Sequence, residues 1–145
     1  MENVSEELKR TVVEAEQKLN SVEDWDYRTA PGKWSKKQIL GHLIDSAANN
    51  HQRFVRVQFE DTPVIRYDQN KWAAVQKCDD TPTNVLINLW TNYNQLLAYI
   101  ISNIPAEALN RKCNIGKEES VTLEWLAADY IRHLNHHLNQ IVGKK

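Results

Sequence analysis

An all-α fold, a four-helix bundle, is what this sequence predicts. Four stretches space their apolar residues three and four apart, each opens on a helix-start signal, and none alternates apolar with polar residues as a half-buried strand would. Amphipathic segments of that kind pack as an antiparallel-type bundle. The 145 residues have the size of one domain, expected to span 1–145, without internal repeats or low-complexity tracts.

The first helix carries Val4, Leu8, Val12, Ala15, Leu19 and Val22 on one face, with Asn3 as its cap and Glu6 as the cap's reciprocal partner. Periodicity is lost from Ser21 to Lys33, and Ala30-Pro31-Gly32 cannot continue a helix. Ser35 and Gln38 then form a capping box, and Trp34 can staple onto Ile39, which predicts a second helix from Ser35 toward Phe59. Its apolar side takes Ile39, Leu40, Leu43, Ile44, Ala47, Phe54, Val55 and Phe59. Beside it runs a row of His42, Ser46, Asn49 and Arg53, which is either solvated surface or the wall of a pocket. Glu60 to Asp80 make a connection of about 20 residues, long enough to predict a functional loop or a short extra helix around Asn70 to Gln76. The third helix opens at Thr81-Pro82 and stops before Pro105. Its core face is Val85, Leu89, Tyr93, Leu96, Ile100 and Ile104, widened by Leu86, Trp90 and Leu97. After the polar stretch Asn110 to Ser120, Thr122 caps a fourth helix, Val121 staples onto Leu126, and Gly143 ends it.

The bulk numbers exclude several classes. A net charge of −1, with 26% charged residues of mixed sign, gives nucleic acid or an anionic membrane no broad attraction. No apolar run approaches a membrane span, and the acidic start Met1-Glu2-Asn3-Val4-Ser5-Glu6-Glu7 does not read as a signal peptide, so a soluble cytoplasmic protein is expected. Cys78 and Cys113 belong to no paired-cysteine motif and read as reduced thiols without an assigned role.

Three of the five histidines lie in Asp129 to Leu138. His133 and His137 stand four apart, one above the other on a helix, in the stripe Leu126, Tyr130, His133, His137, Ile141 that should face the core. Two buried neutral imidazoles leave nitrogens whose burial costs roughly 1–3 kcal/mol each unless they are partnered. A metal ion would satisfy both, and so would hydrogen bonds; spacing alone supports the two readings equally. His136 is turned about 100° from His137 and reads as surface or as a support for the ligands. His51 falls on nearly the opposite side of its helix from His42 and reads as solvated, which leaves His42 as the best third donor. Three histidines would leave positions open on the metal for water or substrate. Asp129 and Asp45 could orient ligand imidazoles or take a proton, although ordinary solvent-facing carboxylates fit their spacing slightly better. Imidazole suits zinc, nickel, iron or copper.

The runs Pro31-Gly32-Lys33-Trp34-Ser35-Lys36-Lys37-Gln38-Ile39-Leu40-Gly41-His42-Leu43-Ile44-Asp45-Ser46, Tyr67-Asp68-Gln69-Asn70-Lys71-Trp72 and His133-Leu134-Asn135-His136-His137-Leu138, in this order, resemble the DinB superfamily and, within it, the YfiT-like metal-dependent hydrolases. The likeness covers most of the chain. It implies a four-helix bundle, a divalent metal (nickel or zinc first, with iron and manganese also admitted) and His42, His133 and His137 as the ligands. Relatives include thiol S-transferases that use low-molecular-weight thiols such as bacillithiol, and many members are dimers. YfiT-like sequences carry a histidine pair where this chain has Gly41-His42, and a further histidine where it has Ala47; both differences spare the matched ligand.

The function expected is therefore that of a metal-dependent enzyme that either transfers a low-molecular-weight thiol to an electrophile or hydrolyses a small substrate. Asn49, Arg53, Tyr67 and Trp72 are the residues expected to shape the mouth for substrate or co-substrate, though packing or surface roles suit each of them as well. The partners expected are a small molecule and a second copy of the chain, with neither nucleic acid nor membrane. The competing class is a non-catalytic, stress-associated bundle used for binding or dimerisation, its metal structural or vestigial.

Overall fold

The computed structural model describes residues 1–143. Five α-helices are formed: α1 (Glu2–Leu19), α2 (Lys36–Arg56), the short α3 (Gln69–Gln76), α4 (Thr83–Ser102) and α5 (Leu123–Val142). The four long helices make the bundle. Its main packing pairs are α1 with α4, α4 with α2, α2 with α5 and α5 with α1, which sets α1 diagonal to α2 and α4 diagonal to α5. The connections after α1 and after α4 therefore cross the end of the bundle rather than turn to a neighbour.

The local signals that place α2 and α5 are the ones the sequence displays. Ser35 accepts from the Gln38 backbone while the Gln38 side chain accepts from Ser35 N, a complete capping box. Buried Lys36 fastens the α1–α2 connection through Asp24 at 3.0 Å. Thr122 accepts from Trp125 N to start α5, and the helix stops before Gly143. The extra helix α3 is present, with Asp68 as its cap, accepting from Asn70 N and Lys71 N.

Other expectations fail for identifiable reasons. Asn3 is not a cap: α1 already includes Glu2, and Met1 stands at the cap position without a side-chain bond. Pro82, not Thr81, occupies the α4 cap position. Helix α2 ends at Arg56, which leaves Phe59 69% exposed. The expected α4 core face is rotated: Val85, Leu89 and Leu96 are exposed, whereas Leu86, Ile87, Trp90, Leu97, Ala98 and Ile101 are buried. Helix α4 carries two apolar stripes, and packing selects the one that combines Trp90 with small Thr91 and Ala98, where α1 reaches the Ala98 carbonyl through Ser5 Oγ at 2.7 Å. Within the polar stretch 110–120 the chain begins a hairpin, β1 (Lys112–Cys113) paired antiparallel with β2 (Val121–Thr122); two-residue strands are too short to show alternation. Val64 bridges in parallel to Asn114 beside it.

Cys78 and Cys113 are buried free thiols, and Cys78 explains a glycine. A Cβ at Gly41 would stand 2.5 Å from Cys78 Sγ and 3.1 Å from its Cβ, so α2 meets the turn after α3 through the bare backbone at that position. Two effects oppose each other in Gly41→Ala: the helix interior gains about 1 kcal/mol in propensity, while overpacking costs about 1–3 kcal/mol. Net destabilisation is the expected outcome in urea unfolding. Repeating the substitution in a Cys78→Ala background should reduce the loss or reverse it; an equal loss in both backgrounds would rule out the contact as its cause.

Candidate metal centre

Three imidazoles converge between α2 and α5. His42 lies in the second turn of α2, whose start the Ser35 box fixes, and is 1% exposed. His133 and His137 are half-buried on the α5 side that faces it. His42 Nε2 and His133 Nε2 are 3.2 Å apart, and the ligating atoms of all three residues lie within 4.8 Å of one another. Metal–nitrogen bonds of about 2.0–2.1 Å make a tetrahedral edge of about 3.3–3.4 Å, which the His42–His133 edge matches. His137 Nδ1 pairs with Gln140 Oε1 at 2.7 Å; since an amide oxygen only accepts, Nδ1 carries the hydrogen and Nε2 keeps a free lone pair. The donor set therefore suits a divalent ion. The Trp34 ring lies 4.9 Å from the His42 ring, where it shields that imidazole rather than only stapling the helix start.

Electrostatics keeps these rings neutral. Burial, followed by the neighbouring His133 and His137, pushes His42 down to about 3, and burial with His137 pushes His133 down to about 4. Burial lowers His137 as well.

The acidic candidates are placed differently from expectation. Asp45 is 2% exposed rather than solvent-facing; one oxygen accepts from Gln76 Nε2 at 2.8 Å, the other has no hydrogen-bond partner among the described residues, and burial raises its carboxyl to about 6. Asp129 is half-buried and ion-paired to Arg132 at 3.2 Å. Neither is hydrogen-bonded to a ligand imidazole. The row His42, Ser46, Asn49, Arg53 is buried throughout, so it is not solvated surface. Arg53 and Tyr67 join His133 in lining a cavity of about 90 Å³ between α2 and α5. Asn49 instead turns back to the Asp45 carbonyl, and Trp72 packs edge-on to Tyr67 outside the cavity wall. The sequence offers no signal for Gln140 and marks Tyr130 only as a member of the core-facing stripe; Asn50 shares the helical face of Arg53 three residues on, the one signal that points to it. His136 is exposed, the surface alternative of its two readings, with its ring 5.1 Å from that of His137, whereas His51 is half-buried and paired with the Tyr93 hydroxyl at 2.8 Å rather than solvated.

Comparison with known proteins agrees with this geometry. A family model described as the DinB superfamily matches residues 6–141. Relatives bearing the name "putative metal-dependent hydrolase" include YfiT of Bacillus subtilis, 29% identical over 97% of this chain and 78% of its own length, and a protein of Oceanobacillus iheyensis, 26% identical over 99% and 80%. A relative in Halalkalibacterium halodurans is 28% identical over 74% of this chain, a match that spans 63% of its own length. The solved structure of Bacillus subtilis YfiT, described as having an unusual four-helix bundle topology, superposes with a TM-score of 0.82 at 23% identity over 94% of this chain and 83% of that one; it bears out the bundle. No helix among the described residues is long and apolar enough to cross a membrane.

The lowered imidazoles set the acid response of the metal-free chain. Unfolded histidines take up protons as pH falls through 6.5, whereas folded His133 and His42 wait until about 4 and about 3, so the stability they contribute is complete above 6.5 and is lost below it. Asp45 runs the other way: with its carboxyl raised from 3.8 to about 6, the folded chain holds the extra proton and gains stability as pH falls through that window. Two strongly lowered histidines and a third lowered one outweigh one carboxyl. The melting temperature of chelator-treated protein should therefore fall between about pH 7 and about pH 5, and fall more steeply in Asp45→Asn. A melting temperature that rises across that interval would contradict the burial of these rings as neutral groups.

Proposed function

The chain belongs to the DinB superfamily, and on that premise we propose that it is a metal-dependent enzyme whose divalent ion is held by His42, His133 and His137. The carrying observation is the convergence of three neutral ring nitrogens on one point, with a cavity opening beside His133. Nickel and zinc are the leading ions, with iron and manganese behind them. An ion held there would lower the pKa of a coordinated water or thiol and supply a nucleophile near neutral pH. Gln140 fixes the His137 tautomer, and Trp34 keeps water from the outer face of His42.

The reaction we favour is transfer of a low-molecular-weight thiol to an electrophile, with hydrolysis of a small substrate as the second reading, supported by the names of the relatives. Cys78 and Cys113 are buried and burial pushes both thiols up, so a reacting thiol would come from a co-substrate. The reading also takes a second copy of the chain on the exposed stripe Val85, Leu89, Leu96, which sedimentation at twice the chain mass would register.

Metal content after purification without a histidine tag tests the centre. Alanine at His42, His133 or His137 should weaken metal affinity by about 100-fold or more and at Gln140 by about tenfold, with little change at His51 or His136. Less than about a tenth of an equivalent in the wild type after metal is supplied, or a loss at His136 equal to that at His137, would defeat the assignment. For the reaction, metal-loaded protein is given monochlorobimane and a panel of cellular thiols. Conjugation that requires the metal and one particular thiol is expected; conjugation indifferent to both would remove thiol transfer and leave hydrolysis.

A further inference from the structure

Arg53 occupies an unusual position for a cation. It is 9% exposed, and none of the ion pairs among the described residues includes it. Its Nε and Nη2 donate to the Ile65 carbonyl at 3.1 and 2.8 Å, and Nη1 donates to Asn50 Oδ1 at 3.3 Å. All three contacts are to neutral oxygens. They use three of the five guanidinium N–H groups and leave one on each terminal nitrogen. A buried guanidinium without a directly paired carboxylate is costly, and burial draws Arg53 below its usual value, although the charge of Asp129 across the cavity offsets part of this.

The cavity beside it runs to the ring of His133, with Ser46, Asn50, Tyr67 and Asp129 among its polar walls. Helical side chains lean toward the helix N-terminus, which directs Arg53 back along α2 in the direction of His42. Asp129, the acidic group in this wall, is engaged by Arg132 at 3.2 Å and is not within ion-pair distance of Arg53.

We propose that this cavity receives a carboxylate group of the substrate, bound by the two remaining N–H groups of Arg53, with the reacting end of the same molecule directed at the three-histidine face. The direction of the reacting end rests on the metal-centre reading above; the carboxylate site does not. Two donors on adjacent terminal nitrogens match a planar two-oxygen anion. A volume of about 90 Å³ admits a carboxylate with a short tail, and the Asp129 carboxylate in the wall opposes a doubly charged phosphate. The chain would thus select small carboxylate-bearing molecules.

The test uses the full chain treated with chelator, titrated with sodium acetate against sodium chloride at matched ionic strength and followed by thermal unfolding. Acetate should raise the melting temperature by a few degrees beyond chloride. Asn50→Asp places a carboxylate against Nη1 at the loss of the Asn50 Nδ2 bonds to the Ser46 carbonyl and hydroxyl, so its own melting temperature is the baseline, from which the acetate response should shift to concentrations about tenfold higher or more. Arg53→Lys, which keeps the charge and loses the fork, should shift that response similarly and serves if Asn50→Asp does not fold. His137→Leu, outside the cavity wall, should lose metal and keep the acetate response, so failure of the metal reading is seen apart from failure of this one. A wild-type response no larger than with chloride, an unchanged response in the Asp and Lys variants, or stronger stabilisation by inorganic phosphate than by acetate would each overturn the proposal.

Discussion

The meeting of α2 with α5 at the His42–His133 edge is the constraint on which the rest of this structure depends. At one end of the pairing His42 faces His133 and His137; at the other, Phe54 stands edge-on to Tyr130, so the two helices run antiparallel. The imidazole end of that meeting does not favour folding by itself. Two Nε2 atoms 3.2 Å apart can share at most one proton, and buried His42 Nδ1 has no hydrogen-bond partner among the described residues. Unpartnered buried nitrogens cost on the order of 1–3 kcal/mol each. The register must therefore be imposed from elsewhere, by the capping boundaries at Ser35 and Thr122 and by the apolar layers around Trp90, Phe54, Leu97 and Leu134. Stability generated at distant contacts holds polar groups in a place that stability alone would not select, which is how a rigid donor set is made ready for an ion.

A second set of bonds brings the connection after α2 to the same place. Arg111 donates to the carbonyls of Val57 and Glu60 at 2.7 and 2.9 Å, and Arg53 holds the Ile65 carbonyl. Ile65 N donates to the Asn114 carbonyl and Asn114 N to that of Pro63, each at 2.9 Å, which locks the connection to the hairpin. Backbone carbonyls that a loop would otherwise leave to water are thus given to two arginines and one asparagine. The consequence lies at Tyr67, held over the cavity beside Ser46 and Arg53, with burial raising its hydroxyl. Asp129 and Ile115 complete the wall from α5 and the hairpin.

How much of this was legible in the sequence follows from the range of the interactions involved. The capping box at Ser35, the Thr122 cap, the short helix near Asn70 and the His133–His137 pair are read from residues a few positions apart, or from helical spacing on a well-delimited helix, and the structure places them as read; His42, 91 residues from His133, enters by elimination and by the family resemblance. The α4 face was misread because the helix is apolar on two sides, and one helix cannot say which stripe its neighbours will cover. For Asp45 the sequence leaves a proton-transfer or imidazole-orienting role beside a slightly better-fitting solvent-facing one, because nothing local reveals that Gln76, 31 residues on, will close over it. Asn50 escaped for a related reason: its role depends on Arg53 being drawn inward by a carbonyl 12 residues further along the chain. Glycine at 41 is explained only once Cys78 is seen against it.

These two groups of interactions divide the labour within the site. The three histidines stand on the helices whose ends are best fixed, so their mutual geometry is insulated from changes in the connections. The side chains that bound the space beyond them come in part from segments held by long-range bonds: Tyr67 from the connection after α2, and Ile115 from the hairpin. Altering those segments would reshape what fits beside His133 while leaving the donor atoms in register. A shared ligand set then says little about a shared substrate. Substrate choice has to be argued from the groups facing the cavity, and among these Arg53 is a buried cation that takes part in none of the ion pairs among the described residues.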